Sequence, residues 1–184
     1  MATLALVRHG KSELGFDEAL NSDLSLIGVK QAKDAALHLA ERYTPRRILS
    51  SPLIRARRTA EPLAEIWGQP VEIAEALTEI PTPRRPDQSS LKWRRPWLDN
   101  IMTQRYCNLD YEIETWRSNL YMFLTSQTED AIIFTHYLTI NAAKGMAIGD
   151  ERVVLCNPGY CEVEQLTVLD GVICIPKIAH LSSK

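Results

Sequence analysis

Apolar residues recur along this chain with two periods, one suited to strands and one to helices. Thr3-Leu4-Ala5-Leu6-Val7 is a short apolar run of the kind a buried strand needs. Residues 26–43 carry apolar side chains at helical spacing, and Ser25 stands where a helix N-cap belongs. Arg47-Ile48-Leu49 reads as a second strand, ending in the turn Ser50-Ser51-Pro52. A second helix is predicted from near Leu53 to Trp67, closed by Gly68 and Pro70, with Pro62 predicting a kink or a later start. Val71-Glu72-Ile73 is a weaker strand. From residue 111 the helical period returns in Ile113, Trp116, Leu120 and Phe123. Residues 131–135 form a buried-type strand and residues 138–147 a helix. Strand-like runs at 152–155, 162–169 and 172–175 finish the chain, with Asp170-Gly171 as a hairpin turn.

Strands alternating with helices predict an α/β fold: a three-layer α/β/α sandwich with a mixed, mostly parallel sheet. The 184 residues suit one domain, 1–184, with roughly two-thirds of the unfolded surface buried. The stretch at about 81–110 breaks the pattern. Four prolines fall between Pro81 and Pro96, and Arg84, Arg85, Lys92, Arg94, Arg95 and Arg105 outnumber the acidic residues around them. We expect a basic, Pro-rich cap inserted on the surface rather than core, with Trp93 and Trp97 packed on the body.

Composition narrows the functional classes. A formal net charge of −2 gives no general attraction to nucleic acid or to an acidic membrane surface. No apolar run approaches the roughly 20 residues of a membrane helix, and no secretion signal is visible at the start. Cys107, Cys156, Cys161 and Cys174 form no Cys-x-x-Cys pair, so neither a zinc site nor a disulfide framework is expected. Cys156, Cys161 and Cys174 fall in strand-like stretches and read as small core residues. The expected setting is cytoplasmic and reduced. No metal or other cofactor is expected, nor a nucleic-acid or membrane partner, and a homodimer is left open.

Reactive residues gather at predicted strand ends, where α/β sheets bind their ligands. The first strand runs into Arg8-His9-Gly10, the second into Ser50-Ser51-Pro52 with Arg55 one helical turn on, and the strand at 131–135 into His136. Guanidinium groups match phosphate oxygens, and imidazole can attack phosphorus or move a proton. Gly10-Lys11-Ser12 is not a P-loop, because Ala5 occupies the position of the first glycine. None of the cysteines has an arginine six positions on, which excludes a cysteine-phosphatase loop.

Several blocks together resemble the histidine phosphatase superfamily, whose fold is phosphoglycerate-mutase-like. They are Leu6-Val7-Arg8-His9-Gly10-Lys11-Ser12-Glu13, the segment from Asp23 through Gly28 to Ala32, the block from Ser50 through Arg55 to Glu61, Leu77-Thr78-Glu79-Ile80, and Ile132-Ile133-Phe134-Thr135-His136. They occur in the family's order over residues 3–140. The resemblance implies His9 as the nucleophile that becomes a phosphohistidine. It implies Arg8, Arg55 and His136 around the phosphoryl oxygens, and Glu79 as the acid that protonates the leaving alcohol. The expected catalytic set is thus His9, Glu79 and His136.

The chain departs from the family pattern in places. Tyr137 stands where many members have glycine, and is expected to narrow the pocket or offer its hydroxyl to the substrate. Gly15 replaces an asparagine whose oxygen contact Ser12 can take over. Pro81-Thr82-Pro83 follows the acid segment in place of the family's usual sequence. Arg8, Arg55, Ser12 and Tyr137 make up the expected phosphate-binding set. His38, His180, Arg57 and Arg58 are expected to be surface residues. The implied activity is a metal-independent phosphomonoesterase acting on a small phosphorylated metabolite. The alternatives are a protein phosphohistidine phosphatase, which can dispense with the acid, and an inactive phosphate-binding or regulatory module.

Overall fold

The computed structural model describes residues 1–83 and 90–176. Arg84, Arg85, Pro86 and His180 lie outside them. The described chain runs β1 (Ala2–Arg8), α1 (Leu26–Arg42), β2 (Arg47–Ser50), α2 (Ile54–Trp67), β3 (Val71–Ile73), α3 (Arg94–Ile101), α4 (Tyr111–Thr125), β4 (Ala131–Thr135), α5 (Tyr137–Ile148), β5 (Val163–Leu169) and β6 (Val172–Cys174). The strands form one sheet in the order β3-β2-β4-β1-β5-β6. β3, β2, β4 and β1 pair in parallel, while β5 runs antiparallel to β1 and to β6. The sheet is mixed and mostly parallel, as the sequence predicts.

The alternation of side chains along each strand sorts the core into two halves. Ala2, Leu4 and Leu6 of β1 join Ile133 of β4 and buried residues of α4 and α5 on one face. Ala5 and Val7 join Ile132 and Phe134 and pack on α1 and α2 across the other. The result is a three-layer α/β/α sandwich, with β1 and β4 apolar on both faces as central parallel strands require.

Helix ends match the predicted signals. The Ser25 hydroxyl accepts from the Gly28 N–H and caps α1, and Gly68 closes α2 at φ 62°. Asp170 and Gly171, at φ 50° and 75°, make the β5–β6 hairpin turn. α2 runs unbroken through Pro62, whereas the sequence predicts a kink or late start. Its inner face is anchored by the buried Thr59, Ala60 and Leu63, while Arg58, whose carbonyl loses its donor, lies exposed to water.

Two other expectations are corrected. Residues 152–155 do not form a strand: the Val153 N–H bonds the Gln104 carbonyl, and the Leu155 and Cys156 N–H groups bond the Asn141 side chain at 2.7 and 2.9 Å. With those donors occupied, the run packs as a loop, and buried Val153 still joins the core. Cys156 and Cys161 accordingly lie outside strands, Cys161 at φ 61°, and Cys174 alone of the three is in one. The stretch at 81–110 is not all surface, because α3 forms within it and places Ile101 and, beyond the helix, Tyr106 in the core. Trp97 packs against that core and meets Trp93 edge-on.

The turn after β1 is held by close backbone contact. A Cβ on Gly28 would lie 2.1 Å from the Lys11 carbonyl oxygen, and one on Gly10 would lie 2.7 Å from the Gly28 oxygen. That carbonyl of Lys11 also accepts from the Ser25 N–H and hydroxyl. Gly28→Ala must therefore push α1 away from the segment that carries His9. We expect it to lower unfolding free energy by about 1–3 kcal/mol, read from urea denaturation; an unchanged midpoint would refute the tight approach.

Candidate active site

The site forms where β1, β4 and β2 end side by side. β1 and β4 are paired so that Arg8 lies opposite Thr135, and the His9 N–H bonds the Thr135 carbonyl at 2.9 Å. One residue further on, His9 and His136 face each other with ring centroids 5.2 Å apart. β2 ends in register with β4, Ser50 opposite Phe134, and delivers Ser51 to the same edge. α2 then carries Arg55 back over His9.

His9 is 7% exposed, and its hydrogen bonds select one tautomer. Its Nδ1 lies 2.7 Å from the Gly10 carbonyl, an acceptor, so Nδ1 carries the proton. Nε2 therefore holds the lone pair, and the Arg55 Nε–H donates to it at 3.2 Å. Burial, then the charge of Arg55, pushes the His9 pKa down to about 3, with Arg8 adding to the effect. The ring is neutral at physiological pH and presents an unprotonated nitrogen beside two guanidinium groups.

Neighbouring groups fix this geometry. The Gly10 N–H donates to the Thr59 hydroxyl at 3.0 Å, and that hydroxyl donates to the Arg55 carbonyl at 2.6 Å. One threonine thus ties the His9 segment to the turn of α2 that carries Arg55. Arg8 donates to the Pro158 carbonyl at 2.8 Å. Its guanidinium lies between two rings, 4.2 Å from the centroid of Tyr160 and 5.0 Å from that of Tyr137.

His136 is fully buried at the N-cap of α5. Its Nε2 is 2.8 Å from the Ser51 hydroxyl oxygen, which also accepts from the Leu53 N–H. Where the serine donates to Nε2, the imidazole proton sits on Nδ1. Among the described residues that buried Nδ1 has no hydrogen-bond partner. Burial and the charge of Arg55 hold His136 well below the ordinary histidine range.

Glu79 lies at the start of α5. Its oxygens accept from the Ile80 N–H at 3.0 Å and the Leu138 N–H at 3.4 Å. Burial raises its pKa, while those two N–H groups and the charges of Arg55 and Arg8 oppose the rise. A cavity of about 360 Å³ opens over these groups, bordered by Arg8, His9, Arg55, Glu79, Ser12 and Tyr137. His136 stands behind His9. Every residue the sequence nominated therefore comes to one edge of the sheet. Gly15 also borders the cavity, as does Leu138. Arg57, Arg58 and His38 are exposed, away from it.

Sequence reasoning missed five contributors. Tyr160 and Asn157 border the cavity from the loop before β5, a segment without a motif. Thr59 and Ser51 were inside a recognised block, yet their partners are visible only in three dimensions. Arg94, read as part of a surface cap, is 5% exposed; its guanidinium stacks 3.8 Å over the Phe16 ring and donates to the Phe16 and Ala19 carbonyls. It clamps the loop that forms one wall of the cavity.

Residues 4–118 match the family model of the histidine phosphatase superfamily (branch 1), and the chain belongs to that family. One relative is the glucosyl-3-phosphoglycerate phosphatase of Mycolicibacterium vanbaalenii, 42% identical over 80 residues. That match covers 41% of this chain and 35% of the relative, so the chain aligns with about a third of that protein's length. Among solved structures, Bacillus stearothermophilus YhfR superposes with a TM-score of 0.75 at 18% identity, covering 99% of this chain and 98% of that one. Phosphoserine phosphatase from Entamoeba histolytica gives 0.70 at 18% identity, covering 96% of each chain. These likenesses establish a phosphoglycerate-mutase-like fold.

The depressed pKa of His9 has a consequence for stability. The unfolded chain takes up a proton at this ring below about pH 6.5, while the folded protein does so only near pH 3. Between those values the unfolded state binds more protons, so the His9 contribution to stability falls as pH falls. Nitrogen-15 NMR of the imidazoles should find His9 neutral with its proton on Nδ1 down to pH 5. A His9 that titrates near 6.5 would contradict the site described.

Proposed function

We propose that this protein is a metal-independent phosphomonoesterase that forms a phosphohistidine at His9 and acts on a small phosphorylated metabolite. The observation that carries the reading is the lone pair on Nε2 of a buried, neutral His9, set among Arg8, Arg55 and His136. In the first step Nε2 attacks phosphorus and the bond to the alcohol oxygen breaks. Arg8, Arg55 and the Nδ1–H of His136 hold the non-bridging oxygens, whose negative charge replaces solvent in a buried site. The arginines supply the positive charge that a metal provides elsewhere. Glu79, with its pKa raised by burial, gives a proton to the departing alcohol.

In the second step water attacks the phosphohistidine, Glu79 takes the water's proton, and phosphate leaves with His9 neutral again. Ser12 and Tyr137 border the same cavity and are assigned contacts to the bound phosphate ester. We read the chain as one domain, 1–184, in which 81–110 is a cap. Leu98 on α3 and Met102 just beyond it border the cavity, which supports that reading.

Hydrolysis of p-nitrophenyl phosphate with a chelator present tests the proposal. Wild-type protein should turn over, and His9→Ala should lose at least about a thousandfold in kcat/KM. Activity that survives His9→Ala, or that the chelator abolishes, would overturn it. Glu79→Gln should cost alkyl phosphates about 10²–10⁴ in kcat and the activated aryl ester far less, because only the poor leaving group needs the proton. Equal losses on both would remove Glu79 from the acid role.

A further inference from the structure

The cavity has a charged floor and an apolar wall. On the phosphomonoesterase reading just given, the floor takes the phosphate and the wall meets the alcohol part of the ester. We infer that this alcohol is hydrophobic, an aryl or hydrocarbon group, rather than a polyol or an acid carrying a second charge.

Three observations support this. First, the wall above the floor is built from Leu14, Phe16, Leu20, Leu98, Met102 and Tyr160. Leu14 and Leu20 remain 45% and 53% exposed at its mouth, apolar surface that an apolar ligand would cover.

Second, the loop carrying three of these side chains has turned its polar groups inward on itself. The Leu14 N–H goes to the Ser22 hydroxyl at 2.9 Å, and the Gly15 N–H goes to the Glu18 carboxylate at 2.6 Å. The Phe16 and Ala19 carbonyls are taken by Arg94. What Leu14, Phe16 and Leu20 offer the cavity is carbon.

Third, among the described residues the cations next to the wall already have partners. Arg94 is spent on those carbonyls and on the Phe16 ring. Arg95 pairs with Asp99 at 3.0 Å. Arg8 and Arg55 belong to the floor. Among the described residues, polar contacts for the alcohol come from Ser12, Ser22 and Asn157 and from the exposed Arg95 at the cavity border. A carboxylate placed against this wall would lose its hydration and would gain a paired cation only by drawing Arg95 from Asp99. An aromatic or aliphatic group would gain contacts with Phe16, Met102 and Tyr160.

The test compares esters of ordinary alcohols, so that leaving-group reactivity does not decide the result. Purified protein is assayed on 4-phenylbutyl phosphate, glycerol 3-phosphate, phosphoserine and 3-phosphoglycerate, with p-nitrophenyl phosphate as a check on the chemistry. We expect kcat/KM for the phenylbutyl ester to exceed each of the other three alkyl esters by at least about tenfold. Leu20→Asn, at a half-exposed position, should cut that preference by about threefold or more, through KM. Equal or better use of the polar esters overturns the inference while leaving the phosphatase reading intact. So does a preference that Leu20→Asn leaves unchanged. Failure to hydrolyse any ester, p-nitrophenyl phosphate included, overturns both.

Discussion

The parallel pairing of β1 with β4 is the constraint on which the site depends. Arg8 opposite Thr135 sets the two strands level, and the next residue on each is a histidine. A slip of one residue along either strand would turn the core-facing set toward the wrong layer. It would also carry His9 and His136 apart, to opposite sides of the sheet edge. The apolar residues on both faces of β1 and β4, packed against helices on each side, make such a slip costly. The stability of the core and the geometry of the site are therefore the same fact about register.

Charge is handled by burial and partnership together. Two arginines stand at a buried pair of histidines, an arrangement that would be unfavourable if the rings were protonated. His9 instead has Nδ1 held by the Gly10 carbonyl and Nε2 held by the Arg55 Nε–H, while His136 has Nε2 held by Ser51. Both rings are kept neutral, and His9 directs its unprotonated Nε2 toward the guanidinium of Arg55. The site is thus organised around a group with dense negative charge.

The segment at 81–110 shows how a basic stretch can be misread when only its composition is considered. Arg94 resembles its exposed neighbour Arg95 in sequence, yet it is buried and holds the loop of Phe16 and Ala19. Its cost of burial is offset by two carbonyl acceptors and an aromatic face. Through that clamp a basic residue helps build an apolar wall. The positive charge of the segment therefore does not describe what its cavity side presents.

Much was legible from local pattern. Short apolar runs located the parallel strands, Ser25 and Gly68 marked helix ends, and Asp170-Gly171 marked the hairpin, because each of these signals acts between near neighbours. The motif blocks nominated Arg8, His9, Arg55, Glu79 and His136 through their resemblance to a known family, with Arg8, His9 and His136 also standing at predicted strand ends. What local pattern could not decide were partnerships between distant segments. Asn141 takes the N–H groups that would have made residues 152–155 a strand, Ser51 orients His136, and Tyr160 covers Arg8 from a loop without a motif. The sequence by itself determined the residue types and the order of the elements. Only the tertiary structure decided which side chains meet, because pairing across more than a hundred residues depends on how the sheet and its helices pack.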